Sequence, residues 1–231
     1  MENIKTYRGN ELKKYVIANI IVIFFITGTI SFEGIINNNS YMKLLIKGIN
    51  STLFSSVIYS LVTVGDCVIS NKLKRYFVFW WFPMPGETIF SKIKMGINDG
   101  RFTSYEAKKI YKKIYKKLPK DKKKRYEYEN SKWYGLLQKY ENEMKVMVTN
   151  RDYLMCRDMT SSTILMIIVY FAISFVLKLI AFEIKALLYL CFMYFLCKFA
   201  TIGKSKRLVN TVIACDIHNS KKKGASKKWV W

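Results

Sequence analysis

Residues 163–202 read TILMIIVYFAISFVLKLIAFEIKALLYLCFMYFLCKFATI, two apolar runs parted by Glu183 and a neighbour or two. Each run, Thr163–Phe182 and Ile184–Ile202, approaches the ~20 residues that carry a helix across a bilayer. So short a separator predicts a tight helical hairpin. Lys178 and Lys198 fall about a turn from opposite ends of these helices. There a long side chain reaches the interface, or else handles an ion or substrate.

Towards the N-terminus, Tyr15–Phe32 (YVIANIIVIFFITGTISF) is another uncharged run, and Thr52–Ser70 a weaker one laced with polar residues. A cleaved leader is the competing reading of the first. No A-x-A-like cleavage site follows it, and it lacks the outline of a short apolar leader core. Glu33–Ser51 between them is polar and turn-rich.

Lys and Arg near span ends favour the cytoplasm. Lys13 and Lys14 precede the first run, Lys72, Lys74 and Arg75 follow the second, Arg151 and Arg157 precede the third, and Lys204, Lys206 and Arg207 follow the fourth. Four spans put all of these on one side and leave Lys43, Lys47 and Lys185 opposite. The expected fold is therefore an all-α membrane protein: four transmembrane helices with a helical, basic cytosolic insert between the second and third. Its parts are an N-terminal transmembrane pair (1–70), the insert (71–158), a C-terminal transmembrane hairpin (159–203) and a basic cytosolic tail (204–231), with both termini cytoplasmic.

The chain has 231 residues, 51% of them hydrophobic, and a formal net charge of +23. The apolar residues are gathered in blocks rather than spread at core periodicity. The charge points to anionic partners: nucleic acid, lipid headgroups or phosphate-bearing ligands. Cys67, Cys156, Cys191, Cys197 and Cys215 show no metal-ligand or redox spacing, so reduced thiols are expected. Heavy use of Lys, Ile, Asn and Tyr suggests an AT-rich bacterial genome, hence a bacterial inner-membrane location.

The insert opens with Tyr76–Phe82 (YFVFWWF), either an interfacial aromatic anchor or a buried strand, ended by Pro83, Pro85 and Gly86. Asn98-Asp99-Gly100 marks a turn. Thr103 with Glu106 forms a capping box opening a helix to about Leu118. Ala107, Ile110, Tyr111, Ile114, Tyr115 and Leu118 share one face of that helix. Lys108, Lys109, Lys112, Lys113, Lys116 and Lys117 cover the rest, and Lys120–Arg125 extends the basic run. The lysine face, with Arg125, is a solvated face of a core helix, a membrane-surface helix or an anionic-ligand surface. From Ser131 the spacing of Trp133, Leu136, Leu137, Tyr140, Met144 and Met147 reads as a long helix entering the third span. Arg151, Asp152, Arg157 and Asp158 sit at that junction, as helix-to-helix ion pairs or as couplers of the insert to the membrane. Lys206–Cys215 reads as a juxtamembrane helix, and the tail beyond it as disordered or lipid-binding.

Catalysis has little to stand on. His218 is the only histidine, and no phosphate loop, nucleophile elbow, paired carboxylates, metal-ligand set or cofactor motif appears. The second span is the better candidate site. Ser56, Ser60, Thr63, Asp66 and Cys67 recur at three- and four-residue steps, as a close-packing seam or as the lining of a water-filled path. A path lined by one such helix per chain requires a homo-oligomer.

Phe82–Ser91 (FPMPGETIFS), Trp133-Tyr134 after Asn130, and Arg151–Asp158 (RDYLMCRD) together resemble small bacterial multi-pass membrane effectors of anti-phage defence, of the CBASS and Hailong kind. The resemblance implies an oligomeric channel paired with a nucleotidyltransferase. Its basic insert would be gated by a nucleotide or oligonucleotide, and it would act by membrane depolarisation. The alternative is a non-channel membrane scaffold whose insert binds anionic lipid or a protein partner.

Overall fold

The computed structural model describes residues 4–28, 41–96 and 99–226. The chain is all-helical, 83% of it helix, with no strand among the described residues. The helices are α1 (Ile4–Ile26), α2 (Tyr41–Val68), α3 (Asn71–Phe79), α4 (Ile89–Met95), α5 (Ser104–Ile110), α6 (Lys112–Lys116), α7 (Lys122–Lys139), α8 (Met144–Phe171) and α9 (Ile184–Ser226). A 3₁₀ turn at Pro85–Glu87 precedes α4, and α8 continues as a π turn over Ala172–Val176.

Two helices are long and apolar enough to cross a membrane: Met144–Val176 and Ile184–Lys222. A third qualifies if Thr52–Val68 and Asn71–Phe79, bent by 100° at their junction, count as one span. Four spans are not all present among the described residues. In α1 only Tyr15–Ile26 follows Lys14, roughly 18 Å of helix against a hydrocarbon core of ~30 Å. The rest of the expected first run, from residue 29 on, lies outside the described residues, as do residues 33–40 of the expected loop, whereas residues 41–51, read as part of that polar loop, are the helical start of α2.

The chain forms two compact units: Met1–Val78 with Leu154–Thr201, and Phe79–Tyr153 with Ile202–Trp231. Helices α8 and α9 contribute to both.

In the first unit, one face each of α1, α2, α8 and α9 supplies a core of Val16, Ile20, Phe24, Ile58, Val62, Met166, Tyr170 and Leu190. Phe24 stacks on Phe54, ring centroids 5.8 Å apart. The expected tight hairpin is looser than its sequence reading. Seven residues, 177–183, separate the π turn from α9, and Lys178 adopts a left-handed φ of 52°, uncommon for a side chain with a Cβ. Tyr170 closes this link, donating its hydroxyl to the Glu183 carbonyl (3.1 Å) and accepting from the Glu183 N–H (2.7 Å).

In the second unit α4, α5, α7 and α9 surround Phe90, Ile93, Phe102, Ala107, Tyr111, Trp133, Val212 and Ile213. The apolar face of the 104–118 segment thus belongs to a core, and its lysines stand outside it. The helix expected to run to Leu118 is interrupted at Tyr111, whose ψ of 15° leaves the α region. Only half of the capping box forms. The Thr103 hydroxyl accepts from the Glu106 N–H (3.3 Å), while the Glu106 carboxylate turns to Lys221 (2.7 Å). The long helix expected from Ser131 also breaks, at Tyr140–Glu143, so α7 and α8 are separate. Beyond the fourth span the chain remains helical through Ser226, and Leu208, Val209 and Ile217 of that segment are core residues. Asp99 ties its turn to α9 by accepting from Arg101 (2.7 Å) and Asn210 (2.8 Å). The Arg101 hydrogen bond chiefly holds its carboxyl at about 2, below the usual range.

Tyr76–Phe82 contains no strand. It ends α3 with Trp80 at a left-handed φ of 53° and leaves Trp81 and Phe82 exposed. Pro85 then opens the 3₁₀ turn, whose Gly86 lies flat on Trp133. A Cβ there would stand 2.8 Å from a ring carbon. Gly86→Ala is expected to cost about 1–3 kcal/mol, as overpacked sites do. The thermal midpoint of the detergent-solubilised protein, followed by tryptophan fluorescence, checks this, and an unchanged midpoint would mean that the turn yields freely.

Candidate functional site

The 100° bend after α2 brings Lys74 of α3 back beside Asp66 of α2. Its ammonium donates to Asp66 at 2.6 Å and lies 3.5 Å from Asp158 of α8. Asp158 is also held by Arg157, at 2.9 Å. The Ser161 hydroxyl donates to Asp66 at 2.6 Å and comes within 3.0 Å of the Asp158 carbonyl. Lys74 is 6% exposed and Asp158 3%. Charges so placed need partners, because desolvation penalises any that is left alone. This network is the most ionic interior of the first unit.

Around it lies a buried polar layer. Thr160, Ser161, Ser162 and Thr163 are all at or below 1% exposure. Thr160 shares a hydrogen bond with Thr201 of α9 (3.1 Å), and Thr163 with Tyr15 of α1 (2.7 Å). Asn19 of α1 accepts from Tyr189 of α9 (2.9 Å) and donates to the Tyr15 carbonyl (2.7 Å). Inside a helical bundle such hydroxyl and amide bonds join helices that apolar contacts alone would let slide.

The candidate stripe on α2 divides. Asp66 is drawn into the ionic network. Ser56, Ser60, Thr63 and Cys67 remain exposed on the protomer, between Leu53, Val57, Val64 and Val68, which are exposed as well. The hydroxyls of Ser56, Ser60 and Thr63 donate to their own helix, to the carbonyls of Thr52 (2.8 Å), Ser56 (2.9 Å) and Tyr59 (2.8 Å). A hydroxyl bonded in this way can face hydrocarbon or a second helix at low cost, and its two lone pairs still accept.

Of the junction charges, Arg157 and Asp158 join Lys74 and Asp66 in the first unit. Arg151 and Asp152 act in the second, where Asp152 accepts from Arg151 (2.8 Å) and from Lys204 of α9 (2.9 Å). The two aspartates each tie α8 to another helix, Asp158 through Lys74 of α3 and Asp152 through Lys204 of α9, while their arginine partners are neighbours on α8 itself. Lys108, Lys109, Lys112, Lys113, Lys116 and Lys117 are all exposed, whereas Arg125 is half-buried and turned inward. Among the described residues no group of three or more His, Cys, Asp or Glu side chains could hold a metal ion.

Sequence reasoning missed Lys74, the Thr160–Thr163 run, and Tyr15 with Asn19. Lys74 reads as one more interfacial base, since nothing local reveals the bend that folds it onto Asp66. The four consecutive hydroxyl residues at the start of an apolar run were a visible signal. No family model, curated protein or solved structure matches the chain.

Proposed function

We propose that this chain is an oligomeric bacterial inner-membrane effector, a channel gated through its basic insert by an anionic ligand (a nucleotide or oligonucleotide) or by a partner such as a nucleotidyltransferase. Its setting would be anti-phage defence by depolarisation. Both termini are cytoplasmic in this reading, which needs an even number of spans and so counts the Tyr15–Phe32 run among four.

One observation carries the proposal: the Ser56–Ser60–Thr63–Cys67 face of α2 stands exposed on the protomer, unlike the hydroxyls of α8, which are packed inside. A hydroxyl row at helical spacing on an apolar, outward helix gains most when copies of the helix turn it towards a common axis. There its lone pairs meet water rather than lipid. The ionic network at Asp66, near the end of the same helix, gives each copy a fixed point from which a gate can work.

Cys67 allows a direct test. In liposomes holding a variant with Cys67 as the sole cysteine, a charged water-soluble thiol reagent is expected to cut ion flux several-fold, and Cys67→Ser to abolish the effect. Flux that ignores the reagent would remove α2 from the pore. Silence with oligomers confirmed would favour the second reading, a non-channel scaffold. That reading draws support from the six exposed lysines between Lys108 and Lys117, which suit anionic lipid or an acidic protein partner as readily as a small ligand.

A further inference from the structure

The second unit contains a cleft of about 460 Å³ between the end of α4, the Leu118–Lys120 link and the first turn of α7. Lys94, Lys120 and Arg125 stand in its wall, with Met95 and Leu118 as apolar surface, and no carboxylate lines it. Arg125 is the unusual member. Its Nε is buried and has no hydrogen-bond partner among the described residues, although a guanidinium is a pure donor and an unmet buried donor is costly.

The acids nearest the cleft are already engaged. Glu129, one turn beyond Arg125 on α7, is fully buried. Its carboxylate accepts from the Ser91 backbone N–H (3.0 Å) and, through a short bond, from the Ser91 hydroxyl. It thereby locks α4 against α7 and holds that wall in place. Asp121 caps α7 by accepting from the Lys124 N–H (2.9 Å). Three cations, one with an unmet donor, and a neighbouring acid already engaged by Ser91 of α4 together make a site for an anion.

Its size and lining narrow the class. Small-molecule sites commonly measure ~300–1,000 Å³, and a bare phosphate would leave most of this cleft empty. Apolar surface beside the cations suits a ligand with a flat or apolar part next to its charge. We propose that the cleft binds a soluble phosphate ester of nucleotide size, its phosphates held by Lys94, Lys120 and Arg125. This deepens the reading of the insert as an anionic-ligand module and moves the site away from the exposed lysines of α5 and α6. Of the basic run read from the sequence, Lys120 and Arg125 belong to the cleft, and the six lysines from Lys108 to Lys117 do not.

Calorimetry on the full chain in detergent tests it, with ADP, inorganic pyrophosphate and adenosine as probes. ADP is expected to bind more tightly than pyrophosphate, and adenosine not at all. Arg125→Gln and Lys94→Gln are each expected to weaken ADP binding about tenfold, the loss of a charge-assisted hydrogen bond. The double variant Lys109→Gln/Lys113→Gln should stay within about twofold. Lys94 is exposed, so its variant remains informative if Arg125→Gln lowers the thermal midpoint. Equal losses in the cleft and control variants would overturn the cleft in favour of diffuse attraction. Binding to phosphatidylglycerol vesicles over phosphatidylcholine, without ADP binding, would overturn the soluble ligand in favour of a lipid headgroup. No binding of ADP or pyrophosphate would overturn the site outright. Because binding is read without flux, a protein that conducts but does not bind retires the cleft alone, and one that binds but does not conduct retires only the pore.

Discussion

Lys74→Met should destabilise the first unit by about 3–5 kcal/mol, the range for removing one partner from a buried ion pair. The lysine stands between two carboxylates, so its loss leaves both charges facing each other. The damage is unequal. Asp158 keeps Arg157 at 2.9 Å, whereas Asp66 retains only the Ser161 hydroxyl at 2.6 Å among the described residues. Asp66 is therefore the group left unpaired, and the double variant Asp66→Asn/Lys74→Met should recover most of the loss, a coupling that a double-mutant cycle isolates. Lys72→Met, an exposed neighbour on the same helix, should change stability by no more than ~0.5 kcal/mol. Thermal unfolding in detergent, followed by far-ultraviolet circular dichroism, measures all three. If Lys74→Met behaves like Lys72→Met, the network does not hold the bend.

That network shows what a sequence can disclose. Asp66 stood out as an ionisable group in an apolar helix, and Arg157-Asp158 as charges entering a span, because hydrocarbon makes such residues conspicuous. Their meeting was hidden, since it depends on the 100° turn between α2 and α3 and on Lys74 lying eight residues from Asp66 in sequence. The apolar face of Ala107, Tyr111 and Ile114 was legible for the opposite reason: helical period alone places those residues together. The cleft was not legible, since Lys94 and Arg125 are joined only by the packing of α4 on α7.

The two helix breaks that periodicity failed to foresee have one physical origin. Helical spacing runs on through Tyr111 and through Tyr140, yet the chain leaves the α conformation at both. The hydroxyls of these tyrosines converge on one carboxylate, Asp216 of α9, at 2.9 and 2.8 Å. Tertiary hydrogen bonds to a residue over seventy positions away outweigh the local preference to continue the helix. In the sequence, Asp216 is the lone acid of a long basic and apolar stretch, which was the available clue.

Asp216→Ala is accordingly expected to destabilise the second unit by roughly 2–6 kcal/mol, since two buried tyrosine hydroxyls lose their acceptor at about 1–3 kcal/mol each. Lys139, 2.9 Å from the carboxylate but half exposed, adds little. Asp216→Asn keeps an acceptor oxygen and should fall near the low end of that range. The same cluster sets an alkaline limit. Burial raises the Tyr111 and Tyr140 hydroxyls above their ordinary 10.0, and the Asp216 hydrogen bond raises Lys139 above 10.5. Above about pH 10 the unfolded chain releases protons that the folded chain still holds, so stability must fall as pH rises. At lower pH both states keep these protons and the contribution is complete. Thermal midpoints read by tryptophan fluorescence between pH 8 and 11 should therefore slope downward in the wild type and less steeply in Asp216→Asn. Parallel slopes would mean that the carboxylate does not govern the titration. A small loss in Asp216→Ala would mean that the tyrosines find other acceptors, leaving both helix breaks without their cause.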